Sequence, residues 1–278
     1  MKIGSQSVSN LGMGTWYLGE GDAQQSTQEI AALRYGIEHG INVIDTAEMY
    51  GQGAAESLVG QAIIPYQREQ LFLISKFYPW HATLNTMRTA LKNSLQRLQT
   101  NYLDLYLLHW PGDTPIKETL QGLQTLQREG LIKQYGVSNF DTADLRMAHL
   151  TMPSATISTN EVLYNLDSRG IEYDLLPYHQ DQGIATIGYS PFGSGDGQEI
   201  HLPDALAELA RAKQITVHQL LLAWVLRNND VLAIPKASSI DHVQANIAAQ
   251  AVTWTPQELA VIDQAFPRPT RKTPLKVI

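Results

Sequence analysis

Three short apolar runs in this chain end abruptly in residues able to move protons. They are Asp45, Lys76 and His109, and Tyr50 lies five residues beyond the first of them. A free phenol titrates near 10, too high for an efficient proton donor and acceptor at neutral pH. A lysine ammonium about 4 Å away supplies roughly 4 kcal/mol at an effective dielectric near 20, enough to lower the phenol by up to about three pH units. An acid paired with that lysine would hold it in place and keep it charged, while damping part of the shift. A neutral histidine could donate a hydrogen bond to a carbonyl oxygen. Nothing in the set activates water strongly, and the His-Glu-x-x-His spacing of a metal-binding helix is absent. Proton transfer to a carbonyl oxygen fits better than hydrolysis.

Taken singly, each residue has an ordinary structural reading. A lysine ending a strand is usually a solvated charge, a histidine beside Trp-Pro a hydrogen-bonded structural group, Asp45 a cap for the following turn, and a tyrosine before glycine a packing residue. The pattern of elements argues otherwise. Val43–Asp45, Leu71–Lys76, Leu103–His109, Ile132–Ser138 and Thr156–Glu161 read as consecutive buried strands, and each ends in a polar residue or pair: Asp45, Lys76, His109, Ser138-Asn139 and Asn160-Glu161. Helical spacing fills the intervals, as in Leu84, Met87, Leu91, Leu95 and Leu98. Ser26…Glu29, Thr216…Gln219 and Thr255-Pro256-Gln257-Glu258 carry helix-start signatures. A helix over Ile171–Gln182, strands at Ala185–Tyr189 and Val231–Ile234, and a Gly-rich loop at Phe192–Gln198 complete the alternation. It runs without a linker or repeat, and predicts a (β/α)8 barrel in one domain over residues 1–278, with a short N-terminal hairpin and extra C-terminal helices. In a barrel the strand ends converge on one mouth. A doubly wound sheet would carry a Gly-x-Gly-x-x-Gly turn, and neither Gly12-Met13-Gly14 nor Gly51-Gln52-Gly53 has the third glycine.

Bulk properties narrow the function. The 278 residues are 44% hydrophobic and 17% charged, with a formal charge of −7 and a pI near 5.6, which favours solubility and argues against non-specific nucleic-acid binding. Any anionic cofactor therefore needs locally placed Lys or Arg. With no cysteine, disulfides, zinc–thiolate sites and cysteine nucleophiles are excluded. No stretch approaches the roughly 20 apolar residues of a membrane span, and the N-terminus lacks the apolar core of a signal peptide. The default expectation is a cytoplasmic protein with no metal site and no membrane partner.

The stretches GMGTWYLG, DTAEMYG, LFLISK, LDLYLLHWP, GVSNF, GYSPF and IPKA, in this order and spacing, make the sequence similar to the aldo-keto reductases over essentially its whole length. TWYLGE, SRGIEYDLLP and LLAWVLRN resemble the bacterial subgroup that reduces methylglyoxal and similar small aldehydes. The resemblance implies a barrel with NADPH extended across its mouth, Tyr50 as proton donor, Lys76 and Asp45 as its tuning pair, and His109 as the group orienting the carbonyl. It implies Ser138 and Asn139 at the carboxamide, Glu161 beside them, Tyr189 stacked on the nicotinamide, and Ser190, Phe192 and Gly193–Gly197 over the pyrophosphate. Lys236 falls at the 2′-phosphate end and Asn246 at the adenine. Trp16, Trp80 and Trp110 line the substrate side, for a small-molecule carbonyl, and a monomer is the implied form.

The sequence departs from the family pattern at two places. Glu161 stands where the family usually has glutamine; a carboxylate accepts from the carboxamide but cannot donate to it, so either the hold on reduced cofactor weakens or Glu161 is protonated. His242 stands where many NADPH-selective members have arginine, and Ala237 replaces a common serine, so Lys236 is the fixed charge favouring NADPH and some use of NADH is expected. The basic, Pro-rich tail Pro267–Ile278 reads equally as a disordered end or as a segment packed near the mouth. A cofactor-binding regulatory subunit of the same fold, with little turnover, is the alternative; a complete tetrad and no extra N-terminal segment favour the enzyme. A metal hydrolase built on Asp45 and His109 lacks a ligand cluster.

Overall fold

The structure is a computed structural model describing residues 1–194 and 198–278. The chain opens with an antiparallel pair, β1 (Lys2–Ile3) and β2 (Gln6–Ser7), turned at Gly4. Then follow β3 (Met13–Gly14), α1 (Ala23–Glu38), β4 (Val43–Asp45), α2 (Ala54–Ile63), β5 (Phe72–Phe77), α3 (Leu84–Leu98), β6 (Leu103–Leu108), α4 (Ile116–Arg128), β7 (Ile132–Ser138), α5 (Thr142–Thr151), β8 (Thr159–Leu163), α6 (Leu175–Gln182) and β9 (Ala185–Tyr189). A second short pair, β10 (Gly193–Ser194) and β11 (Gln198–Glu199), brackets the undescribed residues 195–197, so the predicted Gly193–Gly197 loop lies largely outside the described chain. The C-terminal part holds α7 (Asp204–Ala212), α8 (Val217–Val225), β12 (Val231–Ala233), α9 (Ile240–Ala249) and α10 (Pro256–Ala265).

Strands β3, β4, β5, β6, β7, β8, β9 and β12 form one sheet in that order, every pairing parallel. Its two edges meet. Gly12 donates to the Ala233 carbonyl at 2.8 Å, Ala233 to that of Asn10 at 3.0 Å and Gly14 to that of Pro235 at 3.1 Å, so the sheet closes into the predicted (β/α)8 barrel. Gly14 sits on this seam because a Cβ there would stand 2.6 Å from the Ile234 carbonyl oxygen.

Two apolar shells follow from the period-two alternation of each strand. Val43, Phe72, Ile74, Leu105, Leu107, Ile187 and Leu232 fill the barrel, with Ile3 and Val8 of the hairpin region closing its base. Ile44, Leu73, Tyr106, Leu108 and Val137 face outward into the larger core under the helices. Helix α3 buries Met87, Leu91, Leu95 and Leu98, the residues whose spacing predicts it.

Capping boxes are present at Thr216/Gln219 and Thr255/Glu258. The Ser26…Glu29 pair is not one. Helix α1 starts earlier, capped by Asp22, and Glu29 is buried within it, accepting from the Gly19 amide at 2.9 Å. The span Ile171–Gln182 is a 3-10 turn followed by the shorter helix α6.

Candidate active site

The same alternation that fills the barrel raises the polar residues to its mouth. Val43 and Asp45, Phe72, Ile74 and Lys76, and Leu105, Leu107 and His109 lie at every second position, so each polar residue sits one inward step above the apolar filling. From β8 and β9, Glu161 and Tyr189 arrive in the same way, and Ser138 ends β7. A cavity of about 340 Å³ opens above them.

Lys76, with no exposed surface, is the hub. Its ammonium donates to Asp45 Oδ1 at 2.6 Å, to the Tyr50 hydroxyl at 3.0 Å and to the Thr46 carbonyl at 3.2 Å, and lies 3.3 Å from Glu161 Oε1. Tyr50 reaches it from the turn after β4, where Gly51 and Gln52 take left-handed conformations (φ 54° and 53°) that curl the chain into α2. Burial would discharge the lysine, but Asp45 and then Glu161 hold it well above its usual value. Burial likewise raises Asp45 against the pull of Lys76, and raises Glu161 strongly, with the charge of Asp45 adding to it.

Tyr50 departs from expectation. Burial pushes its phenol above the ordinary 10; Lys76 pulls down, and Asp45 and Glu161 oppose Lys76. The site therefore keeps Tyr50 fully protonated at neutral pH instead of lowering its pKa. His109 is 7% exposed, edge-on to Tyr50 with ring centroids 5.8 Å apart. Burial first, and Lys76 second, hold its pKa well below 6.5, so the imidazole is neutral.

The other candidates divide. Ser138, Asn139, Glu161, Tyr189, Ser190, Phe192, Lys236, Trp16 and Trp110 line the cavity with Asp45, Tyr50 and His109. Trp80 does not. It is 62% exposed on the rim, stacked on Tyr78 at 4.2 Å and edge-on to Trp110 at 6.0 Å. Asn246 is buried on α9 and does not line the cavity. His242 is exposed in the first turn of α9, where Ser239 caps its amide. The tail packs: Leu275 lies on the outer core, Lys272 pairs with Asp174 at 3.0 Å, Lys276 with Asp167 at 3.4 Å, and Ile278 lines the mouth.

Asn139 and Asn160 stand among the strand-end polar residues of the sequence; sequence reading missed Asn165 and the hydrogen bonds by which the three hold this mouth in shape. Asn165 Nδ2 donates to the Ser190 carbonyl at 2.9 Å, fixing Ser190 at φ 51°. Asn139, at φ 60°, accepts from the Tyr189 hydroxyl at 2.8 Å and donates to the His109 carbonyl at 3.2 Å. Asn160 ties both main-chain groups of Phe140 and faces His179 Nε2 at 3.1 Å. An asparagine just past a strand end was the available signal for Asn165. Among the described residues no cluster of His, Asp and Glu could hold a metal.

A model of the Aldo/keto reductase family matches residues 10–266. The chain belongs to the aldo/keto reductase family. Among curated aldo/keto reductases it is 47% identical over 277 residues to methylglyoxal reductase YeaE of Escherichia coli K12, covering 99% of this chain and 97% of that one. Among solved aldo/keto reductases it is similar to one from Klebsiella pneumoniae in complex with NADP and acetate, with a TM-score of 0.90 and 49% identity over 98% of this chain and 96% of the other. A Klebsiella pneumoniae structure in complex with NADPH matches equally well, over 98% and 95% of the two chains.

Proposed function

We propose that this aldo/keto reductase reduces small aldehydes, methylglyoxal among them, to alcohols at the expense of NADPH, with Tyr50 as the proton donor. The observation that carries the reading is the buried line Asp45–Lys76–Tyr50, at 2.6 and 3.0 Å, with a neutral His109 beside it on the floor of a cavity. The names of the similar proteins, a methylglyoxal reductase and NADP and NADPH complexes, support the substrate class and cofactor.

The cavity fits such a cofactor on its own terms. Buried Glu161 Oε2 has no partner among the described residues, Ser190 lines the opening in a left-handed conformation, and Lys236 supplies an exposed cation in the same lining. Ser138, Asn139 and Glu161 would hold the carboxamide, Tyr189 the face of the ring, Ser190 and Phe192 the diphosphate, and Lys236 the 2′-phosphate. Bound there, NADPH supplies a hydride to the carbonyl carbon. The rest falls to the protein. His109, neutral, offers one N–H to the carbonyl oxygen and adds no charge that would have to be moved. The Tyr50 hydroxyl gives its proton to the oxygen as negative charge gathers on it. The phenolate left behind is stabilised by the Lys76 ammonium 3.0 Å away, which Asp45 anchors. Lysine thus assists after the proton leaves, more than by acidifying the resting phenol.

Following NADPH absorbance with methylglyoxal and a panel of aldehydes tests the reading. Tyr50→Phe should lose about 10²- to 10⁴-fold in kcat, the usual contribution of a positioned acid, with NADPH affinity retained. Full activity in that variant would remove Tyr50 from the role. NADPH binding without carbonyl-dependent oxidation in the wild type would point to a cofactor-binding regulatory subunit.

A further inference from the structure

Glu161 ends up somewhere its sequence context does not announce. Strands β4 and β8 stand four places apart in the closed ring of eight, so Asp45 and Glu161 come from opposite walls and meet across the barrel axis. Both side chains are almost wholly buried and lie within hydrogen-bond reach of each other. An ammonium has three protons to give. Lys76 spends them on Asp45 Oδ1, the Tyr50 hydroxyl and the Thr46 carbonyl. Glu161 Oε1, 3.3 Å from the same nitrogen, is a fourth oxygen around three protons and is the most distant of the four.

That leaves two orphans. Asp45 Oδ2 and Glu161 Oε2 are both buried with no partner among the described residues. If both carboxyls were ionised, two facing groups would offer only acceptors to each other, and one ammonium would face two negative charges in an almost wholly buried cluster on the cavity floor. Such burial of uncompensated charge and unpaired oxygens is strongly unfavourable. A single proton resolves both problems, because it converts the two orphaned oxygens into a donor and an acceptor and brings the cluster to zero net charge.

We propose that Glu161 stands at neutral pH as an uncharged carboxylic acid hydrogen-bonded through its own proton to Asp45 Oδ2, and that its ionisation sets the charge which the cavity floor presents to a nicotinamide ring. The first half concerns the protein alone; the second rests on the proposed use of NADPH. The direction of the acidity agrees with the geometry: burial and then the charge of Asp45 push Glu161 well above the usual carboxylate range, and Lys76 only partly opposes them. The other groups facing the pair are Tyr50, Tyr189 and His109; both phenols are raised by burial and the imidazole is lowered by it, so none carries charge at neutral pH.

When Glu161 ionises, its O–H bond breaks, one proton leaves to solvent and the floor passes from zero to one negative charge. An uncharged floor suits the uncharged reduced ring. A negative floor favours the positive oxidised ring and also strengthens the opposition to Lys76 at Tyr50. Glutamine, which never ionises, would hold the floor in the first state at every pH. Glutamate makes the balance between oxidised and reduced cofactor depend on pH.

Infrared spectroscopy of the unliganded enzyme separates the two halves. The wild type should show a protonated-carboxyl C=O band at neutral pH that Glu161→Gln lacks, and the band should fade at alkaline pH. Titrations of NADP⁺ and NADPH by fluorescence should then show their affinity ratio rising at least roughly tenfold across that fading in the wild type, as expected for one nearby charge, and staying flat in Glu161→Gln. Calorimetry needs no variant: NADP⁺ binding to the wild type in buffers of different ionisation enthalpy should release more protons than NADPH binding does. Absence of the band, or its survival in Glu161→Gln, overturns the protonated acid. A band that titrates while the affinity ratio stays flat, or equal proton release for the two cofactors, overturns the charge-setting role. Because the band is read without cofactor, a chain that proved not to use NADPH would leave the first result standing.

Discussion

Lys236 and His242 separate what one charge can do from what a fold must do. Lys236 is exposed at the cavity edge and His242 is exposed in the first turn of α9, so neither is committed to packing. A charge-assisted bond from Lys236 to a 2′-phosphate contributes about 1.5–3 kcal/mol. Lys236→Ala should therefore weaken NADPH roughly 10- to 100-fold, leave NADH nearly unchanged and leave Tm where it was; equal weakening of both cofactors would show that the lysine does not read the phosphate. At this scale the sequence was informative where chemistry and chain direction coincide. Asp45, Lys76 and His109 each end an apolar run, and period-two alternation alone carries them to the mouth. Glu161 was visible as an odd residue, but its partner was not: the Asp45 contact spans the barrel, and no local pattern encodes which strands face one another across an axis. The raised phenol of Tyr50 was hidden in part for the same reason: burial by the packed site is its main cause, and of the two opposing acids Asp45 ends the strand just before Tyr50 while Glu161 arrives from β8.

Strand β8, helix α6 and strand β9 are joined by a buried relay with its own pH signature. Asn160 Nδ2 donates to the Phe140 carbonyl at 2.8 Å and faces His179 Nε2 at 3.1 Å, while His179 Nδ1 faces Thr186 Oγ1 at 2.8 Å. A donor amide opposite Nε2 requires that nitrogen to be bare, so the ring proton sits on Nδ1 and is directed at Thr186. Burial lowers His179 from 6.5 to about 4. The unfolded chain binds a proton from about pH 6.5 downward. The folded one does not until about pH 4. Stability from this group is thus complete above pH 6.5 and is lost as pH falls toward 4, by about 3 kcal/mol in all. Urea melts of the wild type and His179→Gln should show the wild type's advantage shrinking by about that amount between pH 7 and pH 4; a constant gap would sink the assignment. The protection of the Phe140 amide, next to Asn139 of the mouth, should fall over the same interval once its exchange is referred to the intrinsic rate at each pH. Element boundaries were legible where a stop is chemical, as at Gly130 after α4 or Thr255 before α10. They failed at Ser26 and Glu29, because Ser-x-x-Glu is also compatible with a helix interior, and only the position of Asp22 and the Gly19 contact decide between the two.

The molecule as a whole is fastened in two ways. Its tail crosses the outer surface on exposed ion pairs, Lys272 with Asp174 and Lys276 with Asp167, of a kind that contributes only about 0–1 kcal/mol each. Reversing both charges, Lys272→Glu with Lys276→Glu, should leave Tm within about 2 °C, yet free Ile278 from the mouth and change the KM for methylglyoxal at least threefold; an unchanged KM would show that the tail has no part in substrate access. Salt should mimic the double variant. The barrel seam is fastened differently. It joins residues 10–14 to 233–236 through a few main-chain bonds, with the rest of the barrel between them in sequence. Contacts at such separation form late, after the loop-closure entropy has been met. During synthesis at about 5–20 residues per second, the first edge strand waits roughly 10–45 s for its partner to leave the ribosome. For that interval the nascent sheet has two open edges, which makes the early chain a natural client for a chaperone.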